Sequence, residues 1–291
     1  MENNKNKKMK GNEMMKGKYL NPKADLTFKL VFGEHKDLMM SLLNALLPLA
    51  EDAPIESLEY LSPEMVPETT GRKDSVVDVR CKDTLGRQFI VEMQMHWNEN
   101  FKKRILLNAS KSIIKQVGEG ENYNLIEPVF SLNLINEAKF DSNVEDFYHD
   151  YAILNVAHPE RTIDGLRFIF VELPKFQPRS IAQKKMAVLW LRFLTEIGET
   201  TSEAPAELLE NEQTRKALSI VEKSAMNESQ LYAYERFMQS IINEQVLLEG
   251  SYKEGEQHKS ITIARKMKAK GLSATDIAEI TGLTLSDIEK L

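Results

Sequence analysis

Cysteine is nearly absent from this chain: Cys81 stands alone among 291 residues. A single thiol excludes an internal disulfide and any multi-cysteine zinc site, and it suits a reducing compartment. Proline (10) and glycine (13) are too scarce for a collagen-like or low-complexity chain. Apolar runs are short, and none approaches the roughly 18 residues that a membrane span needs. The early lysines (Lys5, Lys7, Lys8, Lys10, Lys16, Lys18) are followed by no apolar stretch, so no secretory signal is expected. What is present, 42% hydrophobic and 28% charged residues, is enough for a packed core at this length. A soluble cytoplasmic protein without a membrane partner is expected.

A net charge of −6 runs against phosphate binding, which relies on Lys and Arg. The charge is unevenly spread. Residues 1–23 hold seven Lys against two Glu, and residues 99–116 hold Lys102, Lys103, Arg104, Lys111 and Lys115 against Glu99 alone. Residues 259–270 hold five basic residues and no acid, whereas residues 196–250 hold eleven Glu against four Lys or Arg. Each basic run reads either as a solvated face or as one wall of a nucleic-acid groove.

Residues 1–20 lack periodicity and read as a disordered basic tail. Leu26, Phe28, Leu30, Val31, Leu38, Leu42, Leu43 and Leu46 have helical spacing, broken near Gly33 and closed before Pro48. An extended piece is expected around Ile55–Leu61. Strict alternation at Val77, Val79 and Cys81 and at Phe89, Val91, Met93 and Met95 predicts two strands, with Asp83-Thr-Leu-Gly86-Arg87 as a hairpin loop. Residues 99–117 predict a helix; 128–134 and 166–173 predict strands, and 145–156 an irregular one. From Ile181 on, the pattern is helical, in segments 190–194, 214–223, 230–248 and 261–270. Two short helices follow, with Ser273 and Thr284 as N-caps and Gly271 and Gly282 as stops. The first 175 residues therefore read as α+β or α/β, with an all-helical remainder.

If the hairpin is symmetric about Leu85, opposed residues sum to 170. Val77 then faces Met93, Val79 faces Val91 and Cys81 faces Phe89, making one apolar side with Cys81 as inert packing. The other side opposes Asp78 to Glu92 and Val76 to Gln94. Carboxylates on directly opposed residues cannot both stay ionised cheaply without a cation between them or a retained proton. Oxygen-only ligands favour Mg²⁺ or Mn²⁺, which take the rest of their shell from water and phosphate. The same acids read equally as an ordinary polar sheet face neutralised by Arg80, Lys82 or Arg87. The Lys/Arg-rich helix that follows is what favours a metal-bound pair beside a phosphate-binding element.

Asp25-Leu-Thr-Phe-Lys-Leu-Val-Phe-Gly33, Arg72-Lys-Asp-Ser-Val-Val-Asp78-Val and Phe89-Ile-Val-Glu92-Met-Gln94-Met resemble the Rpn family of recombination-promoting nucleases, the PD-(D/E)XK nuclease family transposases. Gln116-Val-Gly-Glu-Gly-Glu-Asn-Tyr123 is similar to that family's next segment. The resemblance implies an α/β fold: a restriction-endonuclease-like mixed sheet core flanked by helices, followed by an all-helical C-terminal region. The expected division is a tail at 1–20, a nuclease-like core at 21–178, a helical region at 179–255 and a small helix-turn-helix-like module at 256–291. It implies a metal-dependent DNA endonuclease linked to recombination or a mobile element, using Mg²⁺ or Mn²⁺ on double-stranded DNA; a homodimer stays open. By the same resemblance Asp78 and Glu92 are the catalytic, metal-binding acids. Gln94 stands where most nucleases of this superfamily place Lys, and Asp25 matches an acid near the start of the first helix. The chain departs from the family pattern after Arg104, where Leu106-Leu107-Asn108 replace aromatic residues.

Several residues keep two readings. Asp25 is either a metal-assisting acid or the N-cap of its helix. Gln94 orients a water or phosphate oxygen, or is an ordinary polar residue. Lys102, Lys103, Arg104, Lys111 and Gln116 are DNA-contacting candidates or a solvated helix face. His96 reads as a surface histidine. The tail has helix-turn-helix grammar, but its second helix offers Asp287 and Glu289 against Lys290, which suits packing better than major-groove reading. Two competing functions remain: a catalytically silent relative that binds DNA or protein, and a regulator acting through the C-terminal helices.

Overall fold

The computed structural model describes residues 17–63, 77–96, 100–138, 140–141, 143–178 and 186–291. Six strands form one mixed sheet in the order β1-β2-β3-β4-β6-β5. These are β1 (Glu59–Tyr60), β2 (Val79–Lys82), β3 (Gln88–Gln94), β4 (Val129–Ile135), β5 (Tyr148–Leu154) and β6 (Thr162–Glu172). β1, β2 and β3 are antiparallel neighbours, β3, β4 and β6 run parallel, and β5 closes the edge antiparallel to β6. The irregular strand expected near 145–156 is β5, whose register slips between Ala152 and Ile153.

The β2–β3 hairpin forms as its alternation predicts: Val79 pairs with Val91 and Cys81 with Phe89. Asp83 builds the turn by accepting the Leu85 and Arg87 N–H groups, and Gly86 has φ of 81°, which a side chain would strain. The pairing does not extend as far back as expected. β2 starts at Val79, and Val77 packs with Ile90, Ala109 and Val129 instead of facing Met93. The Met93 N–H is taken by the Asp78 carboxylate (2.6 Å), which ends the ladder there. The expected partner of Gln94, Val76, lies outside the described residues.

Each face of the sheet is covered by helices. The crossover helix α3 (Phe101–Ile114) covers one, burying Phe101, Ile105 and Ala109 against Ile90, Val129, Ile135 and Phe170. Against the other lie α1 (Asp25–Phe28, continued by a π-turn over Lys29–Gly33) and α2 (Lys36–Leu46). α4 (Met186–Glu196), α5 (Ala206–Glu210) and α6 (Glu212–Ile220) join the same cluster, where Trp190 sits 5.3 Å from Phe32 between ring centroids. α4, α5 and α6 are therefore part of the sheet's own core, not an appendage, because their apolar faces are buried in it.

The expected tail also shortens. Residues 1–16 lie outside the described ones, but Tyr19 and Leu20 are buried. Gly17 and Lys18 donate to the Glu199 and Thr201 carbonyls, and Leu20 donates to that of Val221. At Gly17 a Cβ would lie 2.5 Å from the Thr201 oxygen, so only glycine permits this approach.

The helices expected at 230–248 and 261–270 are one element, α7 (Glu228–Ala269), continuous through Gly250 and Gly255. The chain divides into compact units after Phe237. In the first unit Tyr234 of α7 is buried and donates to Glu199 (2.7 Å). In the second, α8 (Ala274–Thr281) and α9 (Leu285–Glu289) join the end of α7 around Ala264, Ile277 and Ile288. Ser273 and Thr284 cap their helices, Thr284 in a capping box with Asp287, and Gly271 and Gly282 have positive φ.

Candidate active site

Glu92 lies near the C-terminal end of β3, on the face that α3 covers, and is 4% exposed. A carboxylate there needs donors. Asn108 donates Nδ2 to Oε1 (2.8 Å) and Arg104 donates Nη2 to Oε2 (3.1 Å). Both come from α3, four residues apart and so on one helix face. Burial pushes the Glu92 carboxyl above its ordinary pKa, and Arg104 and Asn108 oppose that shift.

Asp78 precedes β2 on the strand partnered with β3, next to Val79, whose partner Val91 precedes Glu92. Burial pushes its pKa up to about 6, reinforced by the charges of Glu92 and Asp25 and opposed by the Met93 N–H and Lys29. Asp78, Glu92 and Asp25 thus share one electrostatic neighbourhood. Asp25 is the first residue of α1 and not its cap, which is Ala24, and it pairs with Lys29 at 2.6 Å on the partly exposed side of that helix.

Gln94 lies two residues beyond Glu92 and accepts from Arg104 Nη2 at 2.6 Å, so one guanidinium nitrogen spans both side chains. Its amide also donates to the His96 carbonyl. His96 is not a plain surface histidine: its side chain is 15% exposed and Nδ1 lies 3.0 Å from Glu137. Of the expected DNA contacts, Lys102 and Lys103 are exposed on the first turn of α3, and Lys111 is half-buried farther along. Gln116 is used elsewhere, its side chain donating to the Glu127 carbonyl (3.0 Å) and accepting the Glu127 N–H (2.8 Å) to pin the α3–β4 connection.

Asn108 was not among the residues expected at the site. Its spacing of four from Arg104 was legible, but which strand residue that helix face would meet was not. Among the described residues, no three His, Cys, Asp or Glu side chains are grouped to hold a metal ion by themselves. Two desolvated, mutually repelling carboxylates fit an open site for a hard divalent cation, which keeps waters and takes further oxygens from a phosphate. They do not fit a closed all-protein cage.

A family model described as PD-(D/E)XK nuclease family transposase matches residues 22–251 of the chain. No curated protein and no solved structure matches it. Among the described residues, no helix is long and apolar enough to cross a membrane.

Proposed function

This chain belongs to the PD-(D/E)XK nuclease family transposases, and we propose that it is a metal-dependent endonuclease hydrolysing phosphodiester bonds of double-stranded DNA. The observation that carries this is the placement of Asp78 and Glu92 at neighbouring points of adjacent strands, where burial first and each other's charge second disfavour ionisation of Asp78. Perturbation by burial plus a like charge is the physical signature of a functional-site candidate. Asp78 and Glu92 would hold Mg²⁺ or Mn²⁺. When bound, the ion supplies charge to offset that developing on the phosphate and lowers the pKa of a coordinated water.

The remaining work falls to the chain's own side chains. Asn108 and the backbone of β3 fix the Glu92 carboxylate in place. Arg104 is 43% exposed on its outer side, so it can meet a phosphate oxygen while still touching Glu92. Gln94 has no charge and no basic lone pair to take a proton, so its role is to hold Arg104 and orient a water. Lys102 and Lys103, immediately before Arg104 in the same turn, add sequence-independent attraction for the backbone.

One observation favours a second reading, a catalytically silent DNA-binding relative: the Arg104 guanidinium already satisfies Glu92. Incubating supercoiled plasmid with the protein, with and without Mg²⁺ or Mn²⁺, separates the two. Nicking or linearisation that needs the ion is expected. Binding without any metal-stimulated cleavage establishes the silent relative instead.

A further inference from the structure

A cavity of about 200 Å³ opens on the sheet face covered by α3, lined by Lys102, Ile105, Leu106, Phe140, Tyr151, Phe168 and Phe170. Its walls are almost entirely apolar and four of them are aromatic. Phe140 stacks on Phe170 with centroids 4.3 Å apart, and Tyr151 stands edge-on to Phe170 at 5.8 Å. Leu106 and Tyr151 are about half exposed, so the cavity communicates with solvent. The Lys102 ammonium lies 4.2 Å from the Phe140 ring centroid at its rim.

We propose that this cavity receives one unpaired nucleobase of a bound DNA strand, stacked among its aromatic walls, with Lys102 beside the neighbouring phosphate. The inference deepens the nuclease reading and rests on it. Size and chemistry support it. An apolar cavity of about 150 Å³ holds a benzene ring, so this one, which opens to solvent, has room for the ring of a nucleobase. Aromatic faces without hydrogen-bonding edges hold any base by stacking, which is how single strands are bound without sequence preference. Lys102 and Leu106 are each two residues from Arg104, so they lie on the opposite flank of α3 from the side chain that touches Glu92, over β6 and β5 and not over β3.

The test compares an oligothymidylate with an abasic oligonucleotide of equal length, and so equal phosphate charge, binding to the full chain in EDTA. Stacking of one base is expected to make the oligothymidylate bind about tenfold tighter. Tyr151→Ala, which removes an exposed wall, and Leu106→Trp, which fills the cavity, should each bring the ratio near one while abasic binding stays as in wild type. Two sites on separate elements guard against one variant misfolding, and circular dichroism checks both. A wild-type ratio of one, or a ratio that survives both substitutions, overturns the proposal and leaves the cavity to an apolar protein side chain. Because no cleavage is measured, a chain that fails to cut can still pass, and one that cuts can still fail.

Discussion

Asp78 is held where ionisation is costly, and that has a measurable consequence. Its folded pKa of about 6 lies above the ordinary carboxylate value of 3.8. The folded state therefore binds a proton that the unfolded state releases between those values, and the contribution favouring the fold is complete below about pH 4 and lost as pH rises through 6. In metal-free protein, Asp78→Asn should be more stable than wild type by up to about 3 kcal/mol at pH 7, with the gain disappearing near pH 4. Urea unfolding at the two pH values reads this; a difference independent of pH would show that Asp78 is not strained. Strand alternation and a symmetric hairpin predict the register that holds at Val79–Val91 and Cys81–Phe89, but the ladder stops before Asp78, which accepts the Met93 N–H instead of pairing opposite Glu92. The environment of Glu92 was not legible: Arg104 and Asn108 reach it from a crossover helix, and no local spacing says how such a helix is rotated against the sheet. The same gap hid the capture of Gln116 by Glu127.

Among the elements, α4 shows what periodicity leaves open. Its apolar stripe predicts a helix with a buried face, but gives no hint that Trp190 packs on Phe32 and donates to Ser41 at 3.0 Å, more than a hundred residues earlier. Trp190 is fully buried. Trp190→Ala should cost about 3–5 kcal/mol and lower the thermal midpoint of the whole first unit, not of the helices alone. Far-ultraviolet and near-ultraviolet melts that separated, with the sheet unaffected, would restore the picture of an appended helical region. The long α7 was misread for a related reason. Its middle is polar and contains Gly250 and Gly255, each costing about 1 kcal/mol in a helix, so the apolar pattern shows two segments, 230–248 and 261–270, where the backbone runs as one helix. The short tail helices were legible because Ser273, Thr284, Gly271 and Gly282 act through local backbone chemistry alone.

At the scale of the molecule, the proposed function asks a chain of net charge −6 to meet DNA through one basic helix turn beside an acid pair. The second unit has its own small cluster around Ala264, Ile277 and Ile288, and its last helix carries Asp287 and Glu289. Deleting residues 260–291 should leave plasmid cleavage largely intact, because none of the proposed site residues lies there; complete loss in a deletion protein that still melts cooperatively would place part of the active site in that unit. The central claim is that Asp78 and Glu92 hold the ion that cleavage needs. It is tested most directly by Asp78→Asn against wild type, with plasmid cleavage in Mg²⁺ and DNA binding in EDTA measured on the same samples. Cleavage should fall by more than the roughly 10–100-fold that loss of an outer partner of a metal site costs, while binding, which rests on Lys and Arg, stays level or tightens slightly. Wild-type cleavage by the Asn variant would contradict the account and reduce the acid pair to a polar sheet face.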